Sequence, residues 1–187
     1  MARTPSNMIP LGTELPGFDL PDTVSGGMFS SRQLAGKVSV VMFICNHCPY
    51  VKFVNDELVK LANDYIKKGV AFVAISSNDV VNYPEDSPEK MKQTALELNY
   101  PFPYLYDESQ EVARAFDAAC TPDFYVFDKN QKLVYRGQLD DARPSLNMPV
   151  TGKDLREALE NVLAGKPVSE LQRPSIGCNI KWKVPQE

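Results

Sequence analysis

The chain has 187 residues, of which 43% are hydrophobic and 24% charged, with a formal net charge of −4. These are values of a globular domain long enough to bury a core without staples, so disordered and fibrous classes are excluded. A mildly acidic chain with no Lys/Arg block also argues against nucleic acid or an anionic membrane surface as partner.

Residues 1–12 carry Arg3 but only scattered Met8, Ile9 and Leu11, so no secretory leader is read there. No apolar run approaches the ~18 residues of a membrane span. Two of the four cysteines form a motif while Cys120 and Cys178 stand alone, unlike a disulfide-stapled secreted protein. A cytoplasmic location is expected.

In chain order, residues 15–20 and 27–29 read as short extended segments joined by a turn-rich connection, an N-terminal hairpin extension. Residues 30–35 can add a helical turn stopped by Gly36. Residues 38–44 (VSVVMFI) are almost continuously apolar and β-branched, as in a strand buried on both faces. After Pro49, apolar Val51, Val54, Leu58, Leu61, Ala62, Tyr65 and Ile66 recur at helical spacing opposite Lys52, Asn55, Asp56, Asn63 and Lys67. Gly69 ends that helix, and residues 70–75 form a second buried strand, which implies a parallel strand–helix–strand unit.

A polar insertion follows at residues 78–86. Ser87 then caps a helix starting at Pro88 and carrying Met91, Ala95 and Leu98. Residues 102–106 read as a strand, and Asp107 with Gln110 resembles a capping box for a helix ending before Cys120. Residues 124–127 and 132–135 form a hairpin. Thr151 is the expected cap of a last helix, closed by Gly165. The tail, residues 166–187, holds Pro167, Pro174 and Pro185 but also Ile176, Cys178, Ile180 and Trp182, enough apolar content to pack back on a core spanning residues 37–165. A single α/β domain is expected.

The chemistry concentrates in Cys45-Asn46-His47-Cys48-Pro49, where two cysteines and the only histidine share six residues with Ile44. Two cysteines separated by two residues, after a strand and before a helix, suit a reversible dithiol/disulfide couple. Half a zinc site is the other reading, but four-thiolate sites use two close pairs and this chain has one. A copper site would need a distant histidine, which is missing.

The strings Cys45-Asn46-His47-Cys48-Pro49-Tyr50-Val51-Lys52, Cys120-Thr121-Pro122-Asp123-Phe124, Gln138-Leu139-Asp140-Asp141-Ala142-Arg143-Pro144 and Ser175-Ile176-Gly177-Cys178-Asn179-Ile180-Lys181-Trp182 resemble the peroxiredoxin-like branch of the thioredoxin superfamily, the redoxin and alkyl hydroperoxide reductase relatives. The resemblance implies a thioredoxin-like fold: a central mixed sheet flanked by helices, with an N-terminal hairpin, an insertion after the strand–helix–strand unit and a C-terminal tail. It implies a thiol-disulfide oxidoreductase in which Cys45, the more exposed thiol, attacks and Cys48 resolves. His47, with Asn46 beside it, would lower the Cys45 pKa. Pro122 would be cis, leaving Thr121 as an open edge for an extended substrate.

Thiols and disulfides are the implied substrates and a thioredoxin-type reductant a further partner, with no cofactor and no metal. Peroxidase activity and a non-catalytic metal-binding module stay open. Against the peroxidase, Val38 and Met42 stand where typical peroxiredoxins carry a proline and a hydroxyl residue. Ser39 replaces the buried acid of thioredoxins, with Asp79 the nearest substitute. Cys120 and Cys178 are candidate auxiliary thiols, although buried packing is the ordinary state of such cysteines.

Overall fold

The computed structural model describes residues 3–184, so Pro185 of the tail lies outside the described residues. Strands β1 (Arg3–Pro5), β2 (Asp19–Pro21), β3 (Met28–Ser30) and β4 (Ser39–Phe43) precede helix α1 (Pro49–Ile66). Then come β5 (Ala71–Ser76), α2 (Pro88–Glu97), β6 (Tyr104–Tyr106) and α3 (Glu111–Ala115). The chain continues through β7 (Cys120–Thr121), β8 (Asp123–Phe127), β9 (Leu133–Gly137), α4 (Lys153–Leu163) and β10 (Ile176–Asn179). No helix among the described residues is long and apolar enough to cross a membrane.

The central sheet has the order β6-β5-β4-β8-β9, with β4, β5 and β6 parallel and β8 and β9 antiparallel to their neighbours. All five residues of β4 are buried because both sheet faces are covered. Its side chains alternate: Val40 and Met42 join a core with Leu58, Leu61, Met91 and Leu159, while Val41 and Phe43 join one with Phe18, Leu34, Phe116 and Phe127. Helices α1, α2 and α4 thus cover one face, and α3 with the N-terminal extension covers the other.

Helix ends depart from the expectations in two places. Gln110, in the left-handed region at φ 65°, precedes α3, and the Asp107 carboxylate accepts the Val112 and Ala113 N–H groups, so no capping box forms. Helix α4 follows Gly152 at φ 67° instead of being capped by Thr151; the buried Asp140 carboxylate, 11 and 12 residues upstream, accepts the Thr151 and Gly152 N–H groups at 2.7 Å each. Both caps are longer-range than a capping box, which reaches only three residues. Asp140 is therefore a buried anchor.

The tail packs back as a strand. In a second sheet of order β1-β10-β7, Cys178 pairs with Thr121 and with Arg3, and Asn179 pairs with Cys120. Gly177 is required by this approach, since a Cβ there would stand 1.9 Å from the Thr121 carbonyl oxygen. Gly177→Ala must lift β10 from β7. The expected result is a loss of about 2 kcal/mol, read as a fall in Tm of about 4–8 °C together with faster alkylation of Cys178. An unchanged Tm would show that β10 does not seat as described.

Candidate active site

The cysteine motif lies at the C-terminal end of β4, where sites form in open α/β sheets. Cys48 is the N-cap of α1 in extended geometry, and Pro49 occupies the first helical position, so the helix begins there and is not kinked. Across from it, the chain passes from β7 to β8 through a cis Thr121-Pro122 peptide. Cys45 Sγ lies 3.5 Å from Thr121 Oγ1, and Cys48 Sγ lies 3.4 Å from the Thr121 carbonyl oxygen.

Two expectations about this place need correction. Both thiols are buried, Cys45 at 2% and Cys48 at 0% exposure, so exposure hardly distinguishes them. Nor is Thr121 an open edge, because β10 already occupies it. Through that pairing, Cys178 Sγ comes to 2.9 Å from Cys48 Sγ. The Cys120 sulfur is buried, 3.9 Å from the Pro122 carbonyl, and burial pushes its pKa up.

The acid beside the dithiol comes from the insertion, but it is Asp86. Asp79 instead accepts from the Val81 N–H and the Asn82 amide. Asp86 is fully buried; Oδ1 accepts the Asn46 and His47 N–H groups, and Oδ2 accepts the Asn78 amide and stands 2.5 Å from His47 Nδ1. Burial works against its charge, yet the hydrogen bonds from His47 and Asn78 hold its pKa below the usual value. In turn, the Asp86 hydrogen bond raises the His47 pKa.

Asn46 also serves the insertion rather than a thiol, donating to the Glu85 carbonyl and accepting from Tyr104 Oη. His47 stacks on Tyr83 with ring centroids 5.6 Å apart. Lys181 Nζ from the tail approaches the same Tyr83 ring at 5.5 Å. Insertion, motif and tail are therefore locked together over the dithiol.

The electrostatics place the negative charge on Cys48 rather than on Cys45. Cys48 is brought down to about 5, chiefly by the hydrogen bond from the Cys45 thiol, with further help from Cys178, Thr121 and the Val51 N–H, against the effect of burial. Cys45 is pushed up by that same hydrogen bond, by burial and by the negative Asp86. His47 does not confer a net positive field on Cys45, because Asp86 balances it. Cys178 is pushed up to about 12, first by burial and then by its hydrogen bond to Cys48.

His47 is the only histidine, so its titration can be followed as a single imidazole resonance by NMR. Asp86→Asn removes the charge and the hydrogen bond that raise it, and its pKa is expected to fall toward or below about 6.5. An unmoved titration would show that Asp86 does not control the histidine.

Residues 11–136 match the family model described as the AhpC/TSA family. The chain belongs to the AhpC/TSA family. An uncharacterized conserved protein from Geobacillus kaustophilus is 59% identical, with a TM-score of 0.97 over 100% of this chain and 99% of its own. A hypothetical protein from Sinorhizobium meliloti is 48% identical, with a TM-score of 0.94 over 97% of this chain and 100% of its own. A thioredoxin-family thiol:disulfide interchange protein from Chlorobium tepidum is 20% identical over 83% of this chain and 99% of its own; its TM-score of 0.64 bears on the fold alone. Among curated proteins, none matches this AhpC/TSA-family chain. The chain is thus a peroxiredoxin-like member of the thioredoxin superfamily, with the central mixed sheet and flanking helices of that fold.

Three features of the site have no periodic trace in the sequence. Asp86 sits in a single 3-10 turn, Pro84–Asp86. Tyr83 and Lys181 meet only when the insertion and the tail close on each other. The Ser175-Ile176-Gly177-Cys178 string was the one available signal, and Gly177 its most telling residue.

Proposed function

We propose that this AhpC/TSA-family protein is a thiol-disulfide oxidoreductase working through the Cys45/Cys48 dithiol. The observation that carries this reading is the pair of sulfurs at the start of α1, both facing Thr121 beside the cis proline. With Cys48 holding the negative charge, the Cys45 proton passes across their hydrogen bond as Cys45 attacks a substrate disulfide RS–SR′. A Cys45–SR bond forms and R′S⁻ leaves, taking the proton from Cys48 as R′SH. Cys48, again a thiolate, attacks the Cys45 sulfur and expels RS⁻, so the substrate gains two electrons and the dithiol loses two. Asp86 and His47 would position the motif and hold a proton beside it. Protein or small-molecule disulfides are the substrates this chemistry admits, and a thioredoxin-type reductant would regenerate the dithiol.

Family membership supports a second reading, peroxide reduction at the same thiols. Against it, the positions seven and three before Cys45 are Val38 and Met42, both buried and apolar, so neither the proline nor the hydroxyl residue of a typical peroxide pocket stands there. A metal site would draw on Cys45, His47 and Asp86, whose ligand atoms lie within 4.8 Å of one another. Yet four donors already meet the Asp86 carboxylate, and a cation would have to displace them.

Reduction of insulin disulfides, with hydrogen peroxide consumption followed in parallel, separates the two enzyme readings. Exchange predicts insulin reduction well above peroxide turnover. Peroxide turnover without insulin reduction would overturn it in favour of the peroxidase.

A further inference from the structure

The tail strand is anchored along its length. Ser175 Oγ donates to the Pro122 carbonyl at 2.5 Å, the Ile180 N–H to the Ala119 carbonyl at 3.0 Å, and the Lys181 N–H to Asn78 Oδ1 at 2.8 Å. Gly177 lets its backbone lie directly on Thr121. The side chain that follows is Cys178, 3% exposed, whose sulfur stands 2.9 Å from that of Cys48. A sulfur–sulfur bond of about 2.05 Å is less than an ångström away. Cys48 therefore has a cysteine sulfur on each side, one from its own motif and one from 130 residues along the chain.

We propose that Cys178 is a third redox thiol, which takes Cys48 over from Cys45 and stores the oxidised state of the site as a Cys48–Cys178 disulfide. The inference rests on the exchange reading above, which supplies the Cys45–Cys48 disulfide. Cys178 attacks the Cys48 sulfur of that disulfide, the Cys48–Cys178 bond forms, the Cys45–Cys48 bond breaks, and the Cys178 proton ends on the Cys45 sulfur. One disulfide is exchanged for another, with no net gain or loss of electrons.

The placement of β10 gives this step its purpose. The tail lies along the edge of β7, where an extended disulfide-bearing segment would pair, and it presents a cysteine to the dithiol as such a segment would. It acts as a built-in substrate. Oxidation then bonds the strand covalently to α1 and returns Cys45 to the thiol form. A reductant must break Cys48–Cys178 before the cycle can restart.

The test uses the full reduced chain, oxidised with one equivalent of glutathione disulfide, blocked with iodoacetamide and mapped as unreduced peptides by mass spectrometry. The expected wild-type product is a Cys48–Cys178 linkage in the majority, with Cys45 alkylated. Cys178→Ser is expected to give Cys45–Cys48 instead. A wild-type map with Cys45–Cys48 as its only linkage and Cys178 fully alkylated overturns the proposal. That map decides by itself, so a variant that fails to fold does not matter. Insulin reduction is read separately. Turnover with Cys178 always alkylated defeats the relay alone, whereas the Cys48–Cys178 linkage without turnover defeats the exchange reading and leaves the sulfur pairing standing.

Discussion

Cys48→Ser is expected to remove the thiol that titrates at about 5 and to cut disulfide exchange by at least about three orders of magnitude, about 4 kcal/mol of barrier. Thiolate absorbance in the ultraviolet, followed against pH, reads the first effect. In the wild type one step is expected near 5, because Cys48 collects hydrogen bonds from Cys45 and Cys178 and from the Val51 N–H at the helix start. Cys45→Ser should shift that step upward, since a serine hydroxyl must replace the thiol that contributes most to it. Cys48→Ser should abolish the step; Cys45 then loses the Cys48 hydrogen bond that contributes most to its rise, and burial and Asp86 still act against its thiolate.

The same variant cannot resolve a mixed disulfide. In mildly alkaline buffer it should accumulate substrate on Cys45, detectable as an added mass lost on reduction. If the low step survives Cys48→Ser and disappears with Cys45→Ser, the charge lies on Cys45, and the assignment drawn from the hydrogen bonds is wrong. If neither variant changes exchange, the dithiol is not the reacting group.

A comparable effect on stability is expected at Asp123, the residue after the cis proline. This carboxyl is fully buried at the start of β8, accepting from Ser6 Oγ, Tyr125 Oη and the Phe124 N–H. Burial pushes its pKa up to about 7, outweighing those three hydrogen bonds; Asp117 adds to the rise. In the unfolded chain the group titrates near 3.9. Between about 4 and 7 the folded state keeps a proton that the unfolded state has released, so stability falls as pH rises through this window and levels off above it. A shift of about three units corresponds to about 4 kcal/mol.

Asp123→Asn keeps the shape and can keep all three hydrogen bonds, since the Tyr125 hydroxyl can accept as well as donate. It should be close to wild type in urea midpoint near pH 4 and clearly more stable near pH 8. An equal difference at both values would show that Asp123 is not titrating in that window.

Legibility in the sequence followed the range of the forces involved. The buried strand at residues 39–43, the helix opening at Pro49 and the parallel strand after Gly69 were readable because each rests on neighbours: β-branched runs, apolar residues every three or four positions, a proline where a helix can start. The cis bond before Pro122 was anticipated from the family resemblance. Asp107 was legible as a capping residue but not its reach, and the Asp140 cap was not legible at all, because these carboxylates reach five to twelve residues along the chain, beyond a local capping pattern. Asp79 and Asp86 are equally plausible acids in a list of residues. Only the 3-10 turn at Pro84–Asp86 aims one of them at His47.

By itself, then, the sequence determined that a cysteine pair with a histidine inside it stands at the end of a buried strand, at the head of an amphipathic helix, in a thioredoxin-like scaffold. These are matters of spacing, and spacing acts over a few residues. What only the tertiary structure decided is what surrounds the pair: Asp86 from 39 residues away holding His47, β10 covering the Thr121 edge, and Cys178 brought across 130 residues to the Cys48 sulfur. The last two depend on the register of β10 against β7, and that register is set by backbone fit at Gly177 and hydrogen bonds at both ends of the strand. No local pattern encodes such a fit, which exists only once the two strands lie side by side.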